Sequence, residues 1–182
     1  MIAYKGFDRG LKCRGYQFKM GLNVTDKAQA RECGFHCAEN PLDCLSYYTS
    51  MDFAEYYIVD AGGDINEDGG DTKISCTELT ILKKLTKEDF VLHALAYMAD
   101  HPKREQNRYV CKDRGEANHN GFAIVRGEDP AAKGRKGDIL AFAKEGEDGI
   151  LVEVAMTIVD GVKVKPNKWY GVDLSERTVE KP

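Results

Sequence analysis

Long apolar runs are what this chain of 182 residues most plainly lacks. Nothing in it approaches the ~20 consecutive apolar residues of a membrane-spanning helix. Its opening Met1-Ile2-Ala3-Tyr4-Lys5-Gly6 has no apolar stretch of the kind a secretory signal carries. A cytosolic protein with no membrane contact is the expectation. An excess of positive charge is missing too: 26 Lys and Arg stand against 30 Asp and Glu, a formal charge of −4. A protein that coats nucleic acid indiscriminately needs the opposite balance, which leaves only a local basic face open. The six cysteines, at positions 13, 33, 37, 44, 76 and 111, show no paired two-residue gaps of the kind that strong zinc sites have. In a reducing compartment each is by default a small buried hydrophobe.

What is present is ordinary globular material. The chain is 42% hydrophobic and 31% charged, which excludes wholesale disorder, and it is long enough to bury a core without staples. The pattern predicts an α+β fold in three parts: a mixed N-terminal α/β unit over 1–100, a basic polar connector over 101–119, and a β-rich unit over 120–182 packed on the first. Strands are expected at 2–7, 16–18, 55–59 and 73–82 from their β-formers. Between them, Gly34-Phe35-His36 reads as a strand end, Asn40 as an N-cap and Pro41 as the first residue of a short helix that buries Leu42 and Leu45. The glycines and carboxylates from Asp60 to Asp71 predict an exposed loop. Thr86, with Asp89 three residues on, opens one long helix that ends by Pro102. Farther on, the segments 120–125 and 129–134 end at or near glycines, and with 138–143 they suggest short solenoid-like turns. Asp160-Gly161 predicts a hairpin between 149–159 and 161–164, after which Trp169, the only tryptophan, closes the core edge.

Four constellations could carry chemistry. His36 with Cys33, Cys37 and Cys44 offers zinc-ligand atoms in an irregular spacing, and buried structural thiols are the simpler account, so no metal is assigned. His36 with Glu39 and Tyr48, or Tyr47, supplies general acid and base groups near neutral pH; the alternative is a histidine packed at a strand end. Asp64, Asn66, Asp68 and Gly69 match the first half of an EF-hand loop, but the twelfth position is Ser75 instead of a glutamate, and a solvated acidic loop explains the segment as well. Lys103, Arg104, Arg108 and Lys112 around Tyr109 form one basic cluster, and Lys5, Arg9, Lys12 and Arg14 form another. Together they could line a groove for RNA backbone; separately they are solvated surface balanced by Asp100, Glu105 and Asp113. None of these motifs calls for a cofactor.

Two stretches go further by resemblance. Ala3-Tyr-Lys-Gly-Phe7, Leu11-Lys-Cys-Arg-Gly-Tyr-Gln-Phe18, the segment from Gly34 to Asp43 and the glycine-rich segment from Gly63 to Asp71 resemble the N-terminal half of an uncharacterised family of phages and mobile elements. Ile158-Val-Asp-Gly-Val-Lys-Val-Lys-Pro-Asn-Lys-Trp-Tyr170 resembles its C-terminal end. The size and the shortened middle also look like the type II-A anti-CRISPR class, the Cas9 inhibitors. That resemblance implies a host-defence evasion protein in the cytoplasm of a bacterial host cell whose partners are Cas9 and guide RNA, with damage to the guide as one mode of action and His36 and Glu39 as its candidate groups. A more distant similarity, to ADP-ribosyltransferase folds, implies a strand like 3–7 and a corner like 34–48 facing one cleft. Tyr4 stands where that pattern has a basic residue, and no catalytic glutamate can be placed.

Overall fold

The computed structural model of the chain describes residues 1–29, 33–67 and 72–179. They fall into two compact units, 1–90 and 91–182. Unit 1 carries β1 (Ile2–Asp8), β2 (Lys12–Cys13), β3 (Tyr16–Gln17), β4 (Gly21–Val24), β5 (Phe35–Ala38), a 3₁₀ helix (Pro41–Ser46), β6 (Ala54–Glu67) and β7 (Lys73–Lys84). The strand α1 leads from is β7; α1 itself (Lys87–Asp100) begins in unit 1 and continues into unit 2. Unit 2 adds β8 (Val110–Glu116), β9 (Phe122–Lys133), β10 (Ile139–Glu145), β11 (Leu151–Ile158), β12 (Trp169–Gly171) and β13 (Glu176–Arg177).

In unit 1 the sheet closes on itself. β1 pairs antiparallel with β6, β6 with β7, β7 with β5, and β5 with β1, so the ladder returns to its start as a small β-barrel. Side chains alternate across each strand, and one set meets inside: Ala3 and Phe7 from β1, Phe35 and Cys37 from β5, Val59 and Ala61 from β6, and Ile74, Cys76, Leu79 and Ile81 from β7. Fully buried side chains such as Phe7, Leu79 and Ile81 each contribute roughly 1.5–3 kcal/mol by leaving water. β6 must bend to reach both β1 and the far end of β7. Its register against β7 breaks between Gly62 and Ile65, and Gly63 supplies the required φ of +67° there.

Unit 2 holds a mixed six-stranded sheet. β9 lies parallel to both β8 and β10, while β11 joins β10 antiparallel and β12 joins β9 antiparallel. Its core gathers Ala123, Val125, Leu140, Phe142, Val159 and Tyr170. Arg126, 3% exposed, reaches from β9 to Glu145 at 2.6 Å and to the carbonyls of Pro102 and Gly149 at 2.7 and 2.9 Å.

The α+β expectation is overturned. Among the described residues thirteen strands stand against one α-helix and one short 3₁₀ helix, so the protein is mostly β, and residues 1–90 form no mixed α/β or ADP-ribosyltransferase-like unit. The stretch 60–67, expected as loop, is strand because β7 offers it a ladder partner at each end. Asp68 to Asp71, the second half of the EF-hand-like motif, lie outside the described residues. Solenoid turns are not formed: β9 is assigned as one strand from Phe122 to Lys133, and the antiparallel β11 and β12 complete the sheet around it. Residues 110–116, within the segment read as connector, are β8. Residues 161–164, expected as the second strand of a hairpin, form no strand. The Asp160 carboxylate accepts the N–H groups of Val162 and Val164 at 2.7 and 3.0 Å and folds the chain into a tight turn.

Local signals that depend only on neighbours appear as read. Asn40 Oδ1 accepts the Leu42 N–H at 3.0 Å with Pro41 beginning the 3₁₀ helix, and Thr86 Oγ1 accepts the Asp89 N–H at 3.0 Å at the start of α1. No helix among the described residues is long and apolar enough to cross a membrane.

Candidate functional site: an aromatic cavity over a buried lysine

β1 and β5 pair at one point only, Tyr4 with Ala38. Where the pairing stops, a cavity of about 580 Å³ opens in unit 1. Its walls are aromatic: Tyr4, Tyr16, Phe18, Phe35, Tyr47 and Tyr48 all line it. The rings of Tyr16, Phe18 and Phe35 pack on one another with centroids 4.6 to 5.3 Å apart. Two of them are delivered by the β2–β3 hairpin, whose two-residue turn is Arg14-Gly15 with φ of +48° and +83°, the pattern of a type I′ turn. On the opposite wall the Tyr48 ring lies flat against Gly6: a Cβ at that position would sit 2.6 Å from a ring carbon. Glycine there is what admits the ring.

The floor is charged. Lys5 sits between Ala3 and Phe7 on the inward row of β1, and it is only 5% exposed. Its ammonium donates to the His36 carbonyl at 2.7 Å and lies 3.8 Å from the Cys13 thiol and 5.1 and 5.5 Å from the Phe7 and Phe18 rings. No carboxylate among the described residues forms an ion pair with it. The carbonyl it reaches belongs to β5, so the lysine adds a side-chain tie between β1 and β5 beside their single paired position. Arg14 and Lys73 add charge at the wall; the Lys73 ammonium rests 4.3 Å from the Tyr47 ring centre and 3.2 Å from its hydroxyl. Asp8 and Asp43 also line the cavity, and Asp43 is tied to Thr72 by bonds of 2.6 and 3.2 Å.

Two thiols and two phenols lining the cavity are pushed toward their neutral forms. Burial pushes the Cys44 thiol up to about 12 against the opposing charge of Lys5. The Cys37 thiol is held well above its ordinary value, first by donating its hydrogen bond to Cys76 and then by burial, and the same bond lowers Cys76. Burial raises Tyr4 and, with the Cys13 hydrogen bond second, raises Tyr48 further. Both phenols are therefore protonated at neutral pH and act as hydrogen-bond groups, not bases.

The residues picked from sequence are distributed as follows. His36 and Tyr48 line the cavity, whereas Glu39 is not among its lining residues and gives its backbone N–H to Thr72 at 3.1 Å. Cys33, Cys37 and Cys44 bring no metal set: among the described residues no three His, Cys, Asp or Glu side chains come together. Of the first basic cluster, Lys5 is interior and Arg14 is at the cavity wall, while Arg9 and Lys12 are exposed, Arg9 donating to the Asp52 carbonyl at 2.6 Å. Lys103, Arg104, Arg108 and Lys112 are exposed in unit 2, with the Arg108 guanidinium 5.1 Å from the Tyr109 ring. Sequence reasoning missed Cys13, Tyr16, Phe18 and Lys73, and it placed Lys5 on the surface. The signal for Lys5 was in the chain: it alternates with Ala3 and Phe7, so in a strand it must share their buried face.

Fold and cavity define a closed antiparallel β-barrel unit with a ligand-sized, aromatic, cation-floored recess. The chain belongs to the family described as a domain of unknown function (DUF7666), whose model matches residues 1–93, and the whole recess lies within that span. Neither a curated protein nor a solved structure matches it.

Proposed function

We propose that this protein is a nucleotide-recognition protein that takes one nucleotide of an RNA into the unit 1 cavity. One observation carries the reading: six aromatic side chains and three cationic ones converge on a recess of about 580 Å³. Recesses of roughly 300–1,000 Å³ with apolar walls and a few placed polar groups are the usual form of small-ligand sites. Aromatic faces stack on any base and cations meet the backbone, which is how single strands are held without strong sequence preference. The chain's negative charge is compatible with this, because the cations are local to the recess. Cas9 with its guide RNA, the target that the sequence resemblance implies, is supported by that resemblance and by nothing in the geometry. On this reading the protein would inhibit Cas9 by engaging an accessible nucleotide of the guide.

Fluorescence anisotropy with a labelled single-stranded RNA, and then with guide RNA bound to Cas9, tests it. Binding that Tyr16→Ala and Phe18→Ala weaken is expected, together with loss of target-DNA cleavage when the protein is added to the Cas9 complex. RNA binding indifferent to both substitutions, or no binding, overturns the cavity as the site. RNA binding with unimpaired Cas9 cleavage removes Cas9 as the target and leaves the nucleotide site standing.

A further inference from the structure

Resting on the reading of the cavity as a nucleotide site, we propose that Lys5 is the seat of a terminal phosphate, so that the ligand enters phosphate first. The ammonium is an interior cation in a row of barrel-facing side chains, and burying a charge is costly unless an opposite charge or full hydrogen bonding offsets it. Lysine has three N–H donors. One is taken by the His36 carbonyl at 2.7 Å, and a second has only the Cys13 sulfur at 3.8 Å, a weak acceptor. The aromatic rings of Phe7 and Phe18 lower the cost of burial without neutralising the charge. Cys37 and Cys44, whose thiols remain protonated, do not neutralise it either. An anion from outside completes the set, and the cavity is the route by which it arrives.

Depth and shape choose the kind of anion. Lys5 is almost fully enclosed, so a chain passing through an internal phosphodiester would have to continue into the barrel core beyond it. A terminal phosphate monoester ends there. With the phosphate on Lys5, the sugar and base lie toward the rings of Tyr16, which is 45% exposed, and Tyr47, 51% exposed, where a planar group can stack. Arg14, held at the tip of the β2–β3 hairpin, is placed to meet the same phosphate or the sugar from the wall. The shared chemistry is a nucleoside monophosphate, and it can come from a free nucleotide or from a phosphorylated RNA end.

The test compares adenosine, adenosine 5′-monophosphate, inorganic phosphate, and one short RNA with and without a terminal phosphate, titrated calorimetrically against the wild-type chain and Lys5→Met. The monophosphate should bind the wild type at least about ten-fold more tightly than adenosine, as charge-assisted hydrogen bonds require, and Lys5→Met should erase that difference. A like advantage for the phosphorylated RNA assigns the source to RNA ends; its absence, with the mononucleotide advantage kept, assigns it to free nucleotides. Equal binding of adenosine and its monophosphate by the wild type overturns the phosphate seat and leaves the nucleotide site intact. If no probe binds, both fall. Should Lys5→Met fail to fold, the NMR signal of the Lys5 ammonium in the wild type decides: it must shift when the monophosphate saturates, and an unmoved signal overturns the proposal.

Discussion

Among the described residues each unit buries one cation, and the two are handled in opposite ways. Arg126 in unit 2 is 3% exposed and has a carboxylate at 2.6 Å plus two carbonyls, so its fork of donors is matched inside the fold. Lys5 in unit 1 is 5% exposed and has a carbonyl, a thiol and two ring faces, with a cavity on its remaining side. A satisfied buried ion pair holds structure together. A buried cation with no carboxylate partner among the described residues, beside a cavity, is the feature on which the proposed phosphate seat rests. The same lysine that borders the cavity also ties β1 to the His36 carbonyl of β5, beside the single point at which the two strands pair.

The sharpest test of that contrast is on the structural side. Arg126→Met leaves Glu145 and two carbonyls without their donor and should cost about 3–5 kcal/mol, as removing one partner of a buried pair does. Trp169, the only tryptophan and part of unit 2, reports it as a lowered urea midpoint in fluorescence. Next in size is Gly6→Ala, which drives a methyl into the Tyr48 ring and should cost about 1–3 kcal/mol by overpacking. Because that ring is a cavity wall, RNA affinity should fall with it. Lys5→Met comes third and is the one that can break the comparison. Replacing an incompletely paired buried ion by a hydrophobe of similar shape should change stability by less than about 1 kcal/mol, in either direction. A loss as large as that of Arg126→Met would make Lys5 a structural cation like its counterpart.

The smallest effect concerns pH. Hydrogen bonding to the Lys84 ammonium, with the Gly10 N–H at 3.1 Å assisting, holds the Glu55 carboxyl below its ordinary value. A carboxyl depressed in the folded state contributes stability above its unfolded pKa and loses that contribution as pH falls through the folded one. Lys84 is 56% exposed, so solvent screens the pair and Glu55→Gln should cost only about 0.5–1 kcal/mol at neutral pH. The gap between wild type and variant should close as the solution is acidified past the folded value, which chemical denaturation across that range measures. A gap independent of pH would assign the cost to packing.

Some of this was legible in the chain and some was not, and the division follows range. The Asn40-Pro41 and Thr86-Asp89 signals concern residues within one turn of each other, and both caps form with 3.0 Å bonds. The extension of β6 through 60–67 was hidden because its glycines and carboxylates are poor strand formers in isolation, and only pairing with β7 overrides them. The cavity was legible in fragments. Tyr48 and His36 were picked as site residues, but the rings of Tyr16 and Phe18 gain their meaning from β5, which follows them in the chain and packs Phe35 against them.

By itself the sequence determined some of the strand segments, among them β1 and most of β7, the helix starts and, through the alternation of Ala3, Lys5 and Phe7, that a lysine shares a face with two apolar side chains. Only the tertiary structure decided that this face looks into a closed barrel, that no carboxylate among the described residues pairs with the ammonium there, and that aromatic rings from the β2–β3 hairpin, β5 and the end of the 3₁₀ helix line a space beside it. The reason is physical. Alternation is fixed by the geometry of a single strand, whereas closure, the missing counter-charge and the cavity depend on which distant segments come to lie beside it.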